Sequence, residues 1–442
     1  MCGIFCLLNN NKELTNEFIE QQFKKGKSRG PENSKLMEID DKTLLGFHRL
    51  AINGINDKSN QPMKYGYVNL VCNGEIYNHK ELYNLINFKP LTDSDCEIII
   101  HLYIKYGIEY TLQLLDGVFA FVLIDTLKNE LYAARDPYGV RPLYQSCNDE
   151  YHDHPLVFAS ELKVLQGFIN YHYKSTCCTC NNQAKQFEPG TYSKFKLSNH
   201  KEIWYPVKEN IIYHTFGFKS ILNSNNDNMY EIYKNIQSYL IEAVKKRCLN
   251  TERPIACLLS GGLDSSLITA LVNECISTEG TLETYSIGLK GSEDLKYAKT
   301  VANYLKTKHN EILLQDDDFF NAIPEVIYAI ESYDTTTVRA SIGNYLVSKY
   351  ISQNSNAKVI FNGDGSDEAC GGYLYFHMAP DCLEFDRECR RLLKDIHLYD
   401  VLRSDKSISS NGLEPRTPFL DRSFIQYYLS IHLHIPIINI NL

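Results

Sequence analysis

Apolar residues follow two rhythms along the 442-residue chain. In its first part they form short runs that predict strands at residues 1–8, 43–52 and 67–72, with a hairpin from 118–125 and 131–135. Two helices interrupt them. Asn16 is positioned to cap one running to about Lys25, with Phe18, Ile19, Gln22 and Phe23 on its inner face and Gly26 at its end. The other spans 94–106 and is closed by Gly107. Residues 208–229 are polar and become Asn/Ser-rich, the pattern of a linker. Beyond it the rhythm changes. Ile232, Ile236, Leu240 and Val244 recur at helical spacing in 229–247. Strands at 255–259, 284–289, 311–314 and 358–361 then alternate with helices ending near Cys275 and spanning 295–305 and 319–332. Alternating strand–helix units predict a parallel sheet covered by helices.

Composition narrows the function classes. The net charge is −9, from 45 basic and 54 acidic side chains. Such a chain has no electrostatic footprint for nucleic acid. No apolar run reaches the length of a membrane helix, so no membrane partner is expected. The start MCGIFCLLNNN lacks the basic region of a signal peptide, and the expected location is cytoplasmic. The 14 cysteines are then expected as free thiols. Cys177, Cys178 and Cys180 cluster with His172 nearby, but a zinc site needs a better-spaced ligand set, and loop thiols are the simpler reading.

Cys2 acquires meaning from its position. Removal of Met1 leaves a thiol nucleophile and an α-amine base on one residue. A small buried thiol is the bland alternative. Three segments add to the first reading: His48-Arg49-Leu50-Ala51-Ile52, Asn73-Gly74-Glu75-Ile76-Tyr77-Asn78 and Ser94-Asp95-Cys96-Glu97. Singly, each is ordinary: a surface charge, a hairpin turn, a helix start. Together with MCGIF and Arg29-Gly30-Pro31-Glu32 they resemble the N-terminal-nucleophile glutamine amidotransferase domain. The resemblance implies that Cys2 attacks the glutamine amide, with Asn73 and Gly74 as oxyanion hole. It assigns Arg49 to the glutamine α-carboxylate and Glu75 and Asp95 to the α-ammonium, with Leu50, Ala51, Ile52 and Asn53 lining the site.

Ser260-Gly261-Gly262-Leu263-Asp264-Ser265-Ser266 follows an apolar strand and opens a helix. Backbone N–H groups and a helix N-terminus there suit a phosphate, although a flexible turn has the same composition. It has no Gly-Lys-Ser/Thr ending and is not a Walker A loop. A second strand end, Asn362-Gly363-Asp364-Gly365-Ser366-Asp367-Glu368, sets carboxylates at the same sheet edge, where open α/β sheets bind ligands. The first segment resembles the pyrophosphate loop of ATP pyrophosphatases. Both halves in this order, with the segments 333–341, 371–377 and 414–421, resemble the glutamine-hydrolysing asparagine synthetase family, type B, over nearly the whole chain.

That resemblance implies an αββα N-terminal-nucleophile sandwich over 2–207, a linker over 208–229 and a Rossmann-like synthetase domain over 230–442. The overall class is α+β followed by α/β. The substrates are glutamine, aspartate and ATP, the metal is Mg²⁺, and a homodimer is expected. Leu259 to Ser265, Ile287, Asn362 and Gly363 are assigned to ATP, Asp264 and Asp367 to Mg²⁺, and Arg339 and Asp364 to aspartate and the aspartyl-AMP intermediate. Two departures stand out. The family has Ser-Gly-Glu-Gly where this chain has Asn362-Gly363-Asp364-Gly365. The family also continues beyond Asp421 with a lysine-bearing loop, whereas here an apolar tail, 435–440, ends at Leu442. The expectation is a chain shortened at its C-terminus. Two alternatives remain: an amidotransferase with another acceptor, or a shortened member retaining only glutaminase or ligand binding.

Overall fold

Strand β1 (Gly3–Leu8) carries no polar residue because both of its faces are covered. Ile4, Cys6 and Leu8 face one core, and Phe5 and Leu7 another. In the computed structural model, residues 1–10, 14–147, 155–175, 183–198, 200, 202–217, 228–276 and 280–431 are described. The Cys177/Cys178/Cys180 cluster and the 435–440 tail lie outside them.

After β1 come α1 (Asn16–Lys24), β2 (Asn33–Asp40), β3 (Thr43–Arg49), β4 (Met63–Tyr65), β5 (Val68–Ile76), α2 (His79–Ile86) and α3 (Ile98–Leu114). There follow β6 (Gly117–Asp125), β7 (Glu130–Arg135), β8 (Tyr144–Cys147), β9 (Leu156–Ala159), α4 (Leu162–Ser175), β10 (Gln183–Gln186), β11 (Thr191–Leu197) and β12 (Trp204–Ile212). The strands form two antiparallel sheets, ordered β10-β8-β9-β1-β3-β2 and β12-β11-β7-β6-β5-β4. Ile4, Cys6 and Phe47 of the first meet Val71, Val122 and Leu131 of the second. Helices α1 and α4 cover the outer face of the first sheet through Phe23 and Phe168. Helices α2 and α3 cover the second through Leu82 and Ile99. These layers make the expected αββα sandwich.

Details differ from the sequence reading. Thr15, not Asn16, caps α1, its Oγ1 accepting from Phe18 N at 3.2 Å. Gly107, at φ 78°, breaks the helix where expected, and a second helical stretch, counted within α3, resumes beyond it. Strand β12 takes in residues 208–212, the beginning of the stretch that reads as a linker.

The second rhythm gives α5 (Met229–Leu249), β13 (Ile255–Leu258), α6 (Leu263–Ile276), β14 (Glu283–Leu289), α7 (Glu293–Leu305), β15 (Lys308–Leu314), α8 (Asp316–Ile330), α9 (Thr335–Asn354) and β16 (Val359–Phe361). It continues through α10 (Ser366–Cys370), α11 (Cys382–Asp395), α12 (Asp400–Ser409), β17 (Glu414–Arg416) and α13 (Arg422–Ser430). Its sheet runs β15-β14-β13-β16-β17, with parallel pairing from β15 through β16. The chain leaves β13 toward β14 on one side and returns as β16 on the other. The ends of β13 and β16 therefore flank a crevice at the switch of strand order. Asp421 caps α13 and accepts from Arg247 Nη1 at 2.7 Å, fixing α5. Among the described residues no helix is long and apolar enough to cross a membrane.

By internal contacts the described residues form two units. The first comprises Met1–His214 together with Tyr328–Ser332 and Asp405–Glu414; the rest belong to the second. Buried charges hold the late segments in the first unit. Glu331 accepts from Leu162 N (2.8 Å) and Lys163 N (2.7 Å) at the start of α4 and pairs with the fully buried Lys406. Burial alone would raise Glu161, but Lys163, Lys406 and Arg29 hold it at about 2. Breaking a buried pair from one side strands the other charge, at a cost of about 3–5 kcal/mol. Glu331→Ala is therefore expected to lower the unfolding midpoint and to lose hydrogen-exchange protection at the Leu162 and Lys163 amides. Unchanged protection there would contradict this role.

Candidate active sites

Cys2 stands just before β1. Its backbone N donates to Asn73 Oδ1 at 3.1 Å, and its Sγ lies 3.5 Å from Leu50 O. The Asn73 amide is thereby oriented, with its oxygen toward Cys2 N. Its Nδ2 is buried and has no partner among the described residues. A buried donor left unpaired costs about 1–3 kcal/mol, so this atom is poised for an acceptor that the chain itself does not supply. Gly74 follows on β5. A Cβ there would lie 2.4 Å from Val118 O and 2.7 Å from Phe119 Cα, so only glycine lets β5 and β6 pair closely at this point. Burial raises the Cys2 thiol above its ordinary pKa, and the nearby terminal ammonium opposes that.

Arg49 and Asp95, expected at the two ends of glutamine, are both engaged by the chain. Arg49 Nη1 donates to Asn56 O (2.9 Å) and Asn60 Oδ1 (2.7 Å), and Nη2 to Asn53 O (3.3 Å) and Gly54 O. The guanidinium thus shapes the 53–60 loop. Asp95 Oδ2 accepts from Ile76 N at 2.6 Å, and burial raises its pKa. Asn53 Nδ2 donates to Glu75 Oε2 at 2.6 Å. Leu50, Ala51 and Ile52 are buried, with Ala51 N donating to Glu32 Oε2 at 2.7 Å. The residue missed from the sequence is Arg29. Its Nε donates to Cys2 O at 2.9 Å, and its Nη1 to Glu161 Oε1 (2.8 Å), Asp405 Oδ2 (2.8 Å) and Ser409 Oγ (2.9 Å). The Arg-Gly-Pro-Glu segment was its only signal.

The second site lies in the second unit, in the crevice beyond β13 and β16. A cavity of about 230 Å³ is lined from the β13 side by Leu258, Ser260, Gly262, Asp264 and Ser265. Asn362, Gly363, Asp364, Gly365, Asp367 and Glu368 line it from the β16 side. The loop after β13 is tied to itself: Ser260 Oγ and Ser265 Oγ are 2.9 Å apart, and Gly262 N donates to Ser260 Oγ at 3.3 Å. Gly261 has φ +86°, and a Cβ on it would meet Ala298 N at 2.5 Å. This compact turn sets the start of α6, with Asp264 and Ser265, on the cavity wall, and a helix N-terminus there suits a phosphate. Ser366 Oγ donates to Asp264 Oδ1 at 2.9 Å, joining the two strand ends.

Further lining comes from residues the sequence did not single out as site residues: Asn344 on α9, Tyr373, and Asp400 and Arg403 on α12. Tyr373 OH donates to Glu368 and, at 3.4 Å, to Asp400 Oδ2. Arg403 pairs with Asp400 and faces Asp364 Oδ1 at 3.5 Å. Five carboxylates thus share the cavity with one guanidinium. Burial, then Asp264, Asp400 and Asp364, raise Asp367 above the usual range. Burial and Asp400 push Glu368 up to about 8. Burial raises Asp364 against the pull of Arg403. Such a lining favours a cation. Among the described residues, however, no three His, Cys, Asp or Glu side chains are grouped to hold a metal ion. Two carboxylates, Asp264 and Asp367, fit the habit of Mg²⁺, which takes few protein ligands and completes its shell with phosphate and water.

Other expected ATP residues lie off the cavity wall. Leu259 is buried beneath the loop, Leu263 is exposed, and Ile287 is on β14 against the Gly343 side of α9. Arg339 is exposed on α9 and lines none of this cavity.

Comparison with known proteins follows the same division. The family described as "Glutamine amidotransferase domain" matches residues 1–202, and that described as "Asparagine synthase" matches 235–385 and 380–440. "Asparagine synthetase [glutamine-hydrolyzing]" of Cricetulus griseus is 39% identical over 447 residues, covering 98% of this chain and 77% of its own length. The proteins of the same description from Homo sapiens and Gallus gallus are also 39% identical, with the same shares covered.

If the unpartnered Asn73 Nδ2 is an oxyanion donor, Asn73→Ala is expected to lower glutamine hydrolysis by about 100- to 1,000-fold. Glutamate release by the purified variant measures this. Near-normal hydrolysis would remove Asn73 from the oxyanion hole.

Proposed function

The chain belongs to the family of glutamine-hydrolysing asparagine synthetases, and we propose how its residues divide that reaction between two sites. The family reaction is an ATP-dependent ligation in which glutamine supplies the nitrogen that converts aspartate to asparagine. In the first site Cys2, freed of Met1, attacks the glutamine side-chain carbonyl carbon. Its α-amine, hydrogen-bonded to Asn73 Oδ1, takes the thiol proton and passes it to the leaving nitrogen. Asn73 Nδ2 and the Gly74 N–H receive the oxyanion. Ammonia departs, and water hydrolyses the thioester to glutamate. Arg49 and Asp95 shape the walls that receive the amino-acid end, and Asn53 and Glu75 line it.

In the second site the β-carboxylate of aspartate attacks the α-phosphorus of ATP, and pyrophosphate leaves. Ammonia then adds to the β-carbonyl carbon of aspartyl-AMP, and AMP is expelled. Residues 260–265 cradle the phosphates. Asp264 and Asp367 would hold Mg²⁺, which supplies charge neutralisation for the polyphosphate. Arg339, exposed little more than one helical turn from Asn344, is the cation proposed for an aspartate carboxylate. Asp364 faces the reacting groups. The observation that carries this reading is the occurrence, in one chain, of an unpartnered amide donor beside Cys2 and a carboxylate-lined cavity at a phosphate loop.

The test is to incubate the protein with glutamine, aspartate and Mg-ATP and to quantify glutamate and asparagine together. Both products are expected from the wild type. Cys2→Ala should lose both while still forming asparagine from ammonium. Glutamate without asparagine, with either nitrogen source, would refute the synthetase half of the assignment and leave a glutaminase.

A further inference from the structure

Asn362 is expected from the sequence as a contact of ATP, but its amide is already engaged. Nδ2 donates to Asp364 Oδ2 at 2.8 Å and to Ser404 Oγ at 2.7 Å, and Asp364 N approaches Oδ1 at 3.4 Å. The residue is buried, and its N–H is held by Arg416 O at 3.2 Å, so its backbone is fixed as well. Asp364, two residues on, lines the cavity. Its Oδ1 faces Arg403 Nη2 at 3.5 Å, and Arg403 is itself anchored by Asp400. One carboxylate oxygen is thus met by an amide from its own turn and the other by a guanidinium from α12, and the Ser404 hydroxyl also bonds this carboxylate. A two-atom grip of this kind fixes the plane of a carboxylate, which a single contact does not.

We propose that Asn362 is a positioning residue: with Arg403 it clamps the two oxygens of Asp364 and presents that carboxylate in one orientation to the reacting aspartate and ATP. The side chain at 362 is matched to the one at 364. A carboxylate on the short aspartate stem lies within reach of the Asn362 amide. A hydroxyl at 362 offers one donor where the amide offers two. This inference rests on the synthetase reading of the cavity.

The test follows aspartate-dependent pyrophosphate release from Mg-ATP, with ammonium chloride replacing glutamine, in wild type, Asn362→Ala, Asn362→Ser, Asp364→Asn and Asn362→Ala/Asp364→Asn. The clamp predicts that kcat falls by about 10- to 100-fold in Asn362→Ala. KM for ATP should stay within about two-fold, and the effect should vanish in the Asp364→Asn background. A contact with ATP would instead raise KM for ATP at nearly constant kcat and persist in that background, which would overturn the proposal. Absence of aspartate-dependent pyrophosphate release from wild type would refute the synthetase reading, not the clamp. In that event the urea midpoints of the same four-member cycle decide. The shift caused by Asn362→Ala should shrink by at least about half beside Asp364→Asn. Additive shifts would overturn the clamp.

Discussion

The Cys2 end of the first unit depends on one buried cation. Arg29 has no exposed surface, and an isolated charge there would cost several kcal/mol. It is tolerated because Glu161 and Asp405 oppose it at 2.8 Å and because Nε and Nη1 also reach Cys2 O and Ser409 Oγ. Those carboxylates are buried too, so they require cations of their own: Lys163 at 2.7 Å from Glu161 and Arg141 at 3.5 Å from Asp405. Lys406 is paired with Glu331 in turn. The result is a connected set of charges in which removal of one member exposes another. Two of its carboxylates and one of its lysines come from the segments Tyr328–Ser332 and Asp405–Glu414. The placement of Cys2, at the second position of the chain, therefore depends on residues more than three hundred positions away in sequence.

The second site obeys a different electrostatic constraint. Its wall holds five carboxylates and one arginine, an excess that repels a polyphosphate. A nucleotide enters such a cavity favourably only with cations that neutralise both wall and ligand. Burial and the neighbouring carboxylates raise the pKa of Asp367 and Glu368, an expression of the same repulsion. Arg403 relieves part of it by holding Asp400 and facing Asp364.

Much of this was legible in the sequence wherever the signal is local. Both-face burial makes β1 and β6 continuous apolar runs, and small residues mark the tight loop of the strand–loop–helix at 255–276. What escaped reading depends on long-range partners. Nothing near Glu331 in sequence marks it as the cap of α4, and nothing near Asp400 or Arg403 marks them as cavity wall. Local competition explains the smaller misses. Thr15 and Asn16 are both competent caps, and the backbone chose the first. Gly107 breaks the helix as its backbone freedom allows, and the apolar residues from Ile108 form a second stretch that the expectation did not include. Strand β12 was hidden because its exposed positions mix Tyr205, Val207 and Ile212 with Lys208 and Asn210, so no clean alternation marks it.

Glutamine hydrolysis by Arg29→Lys in the full chain, measured beside asparagine formation from ammonium, aspartate and Mg-ATP, tests the central dependence most directly. Lysine keeps the charge but cannot divide donors between Cys2 O and the carboxylates from one planar group. The expected result is a loss of hydrolysis of about 10-fold or more, with ammonium-dependent synthesis within about two-fold of wild type. Hydrolysis unchanged by the substitution would show that the buried guanidinium does not position Cys2, and would contradict the account.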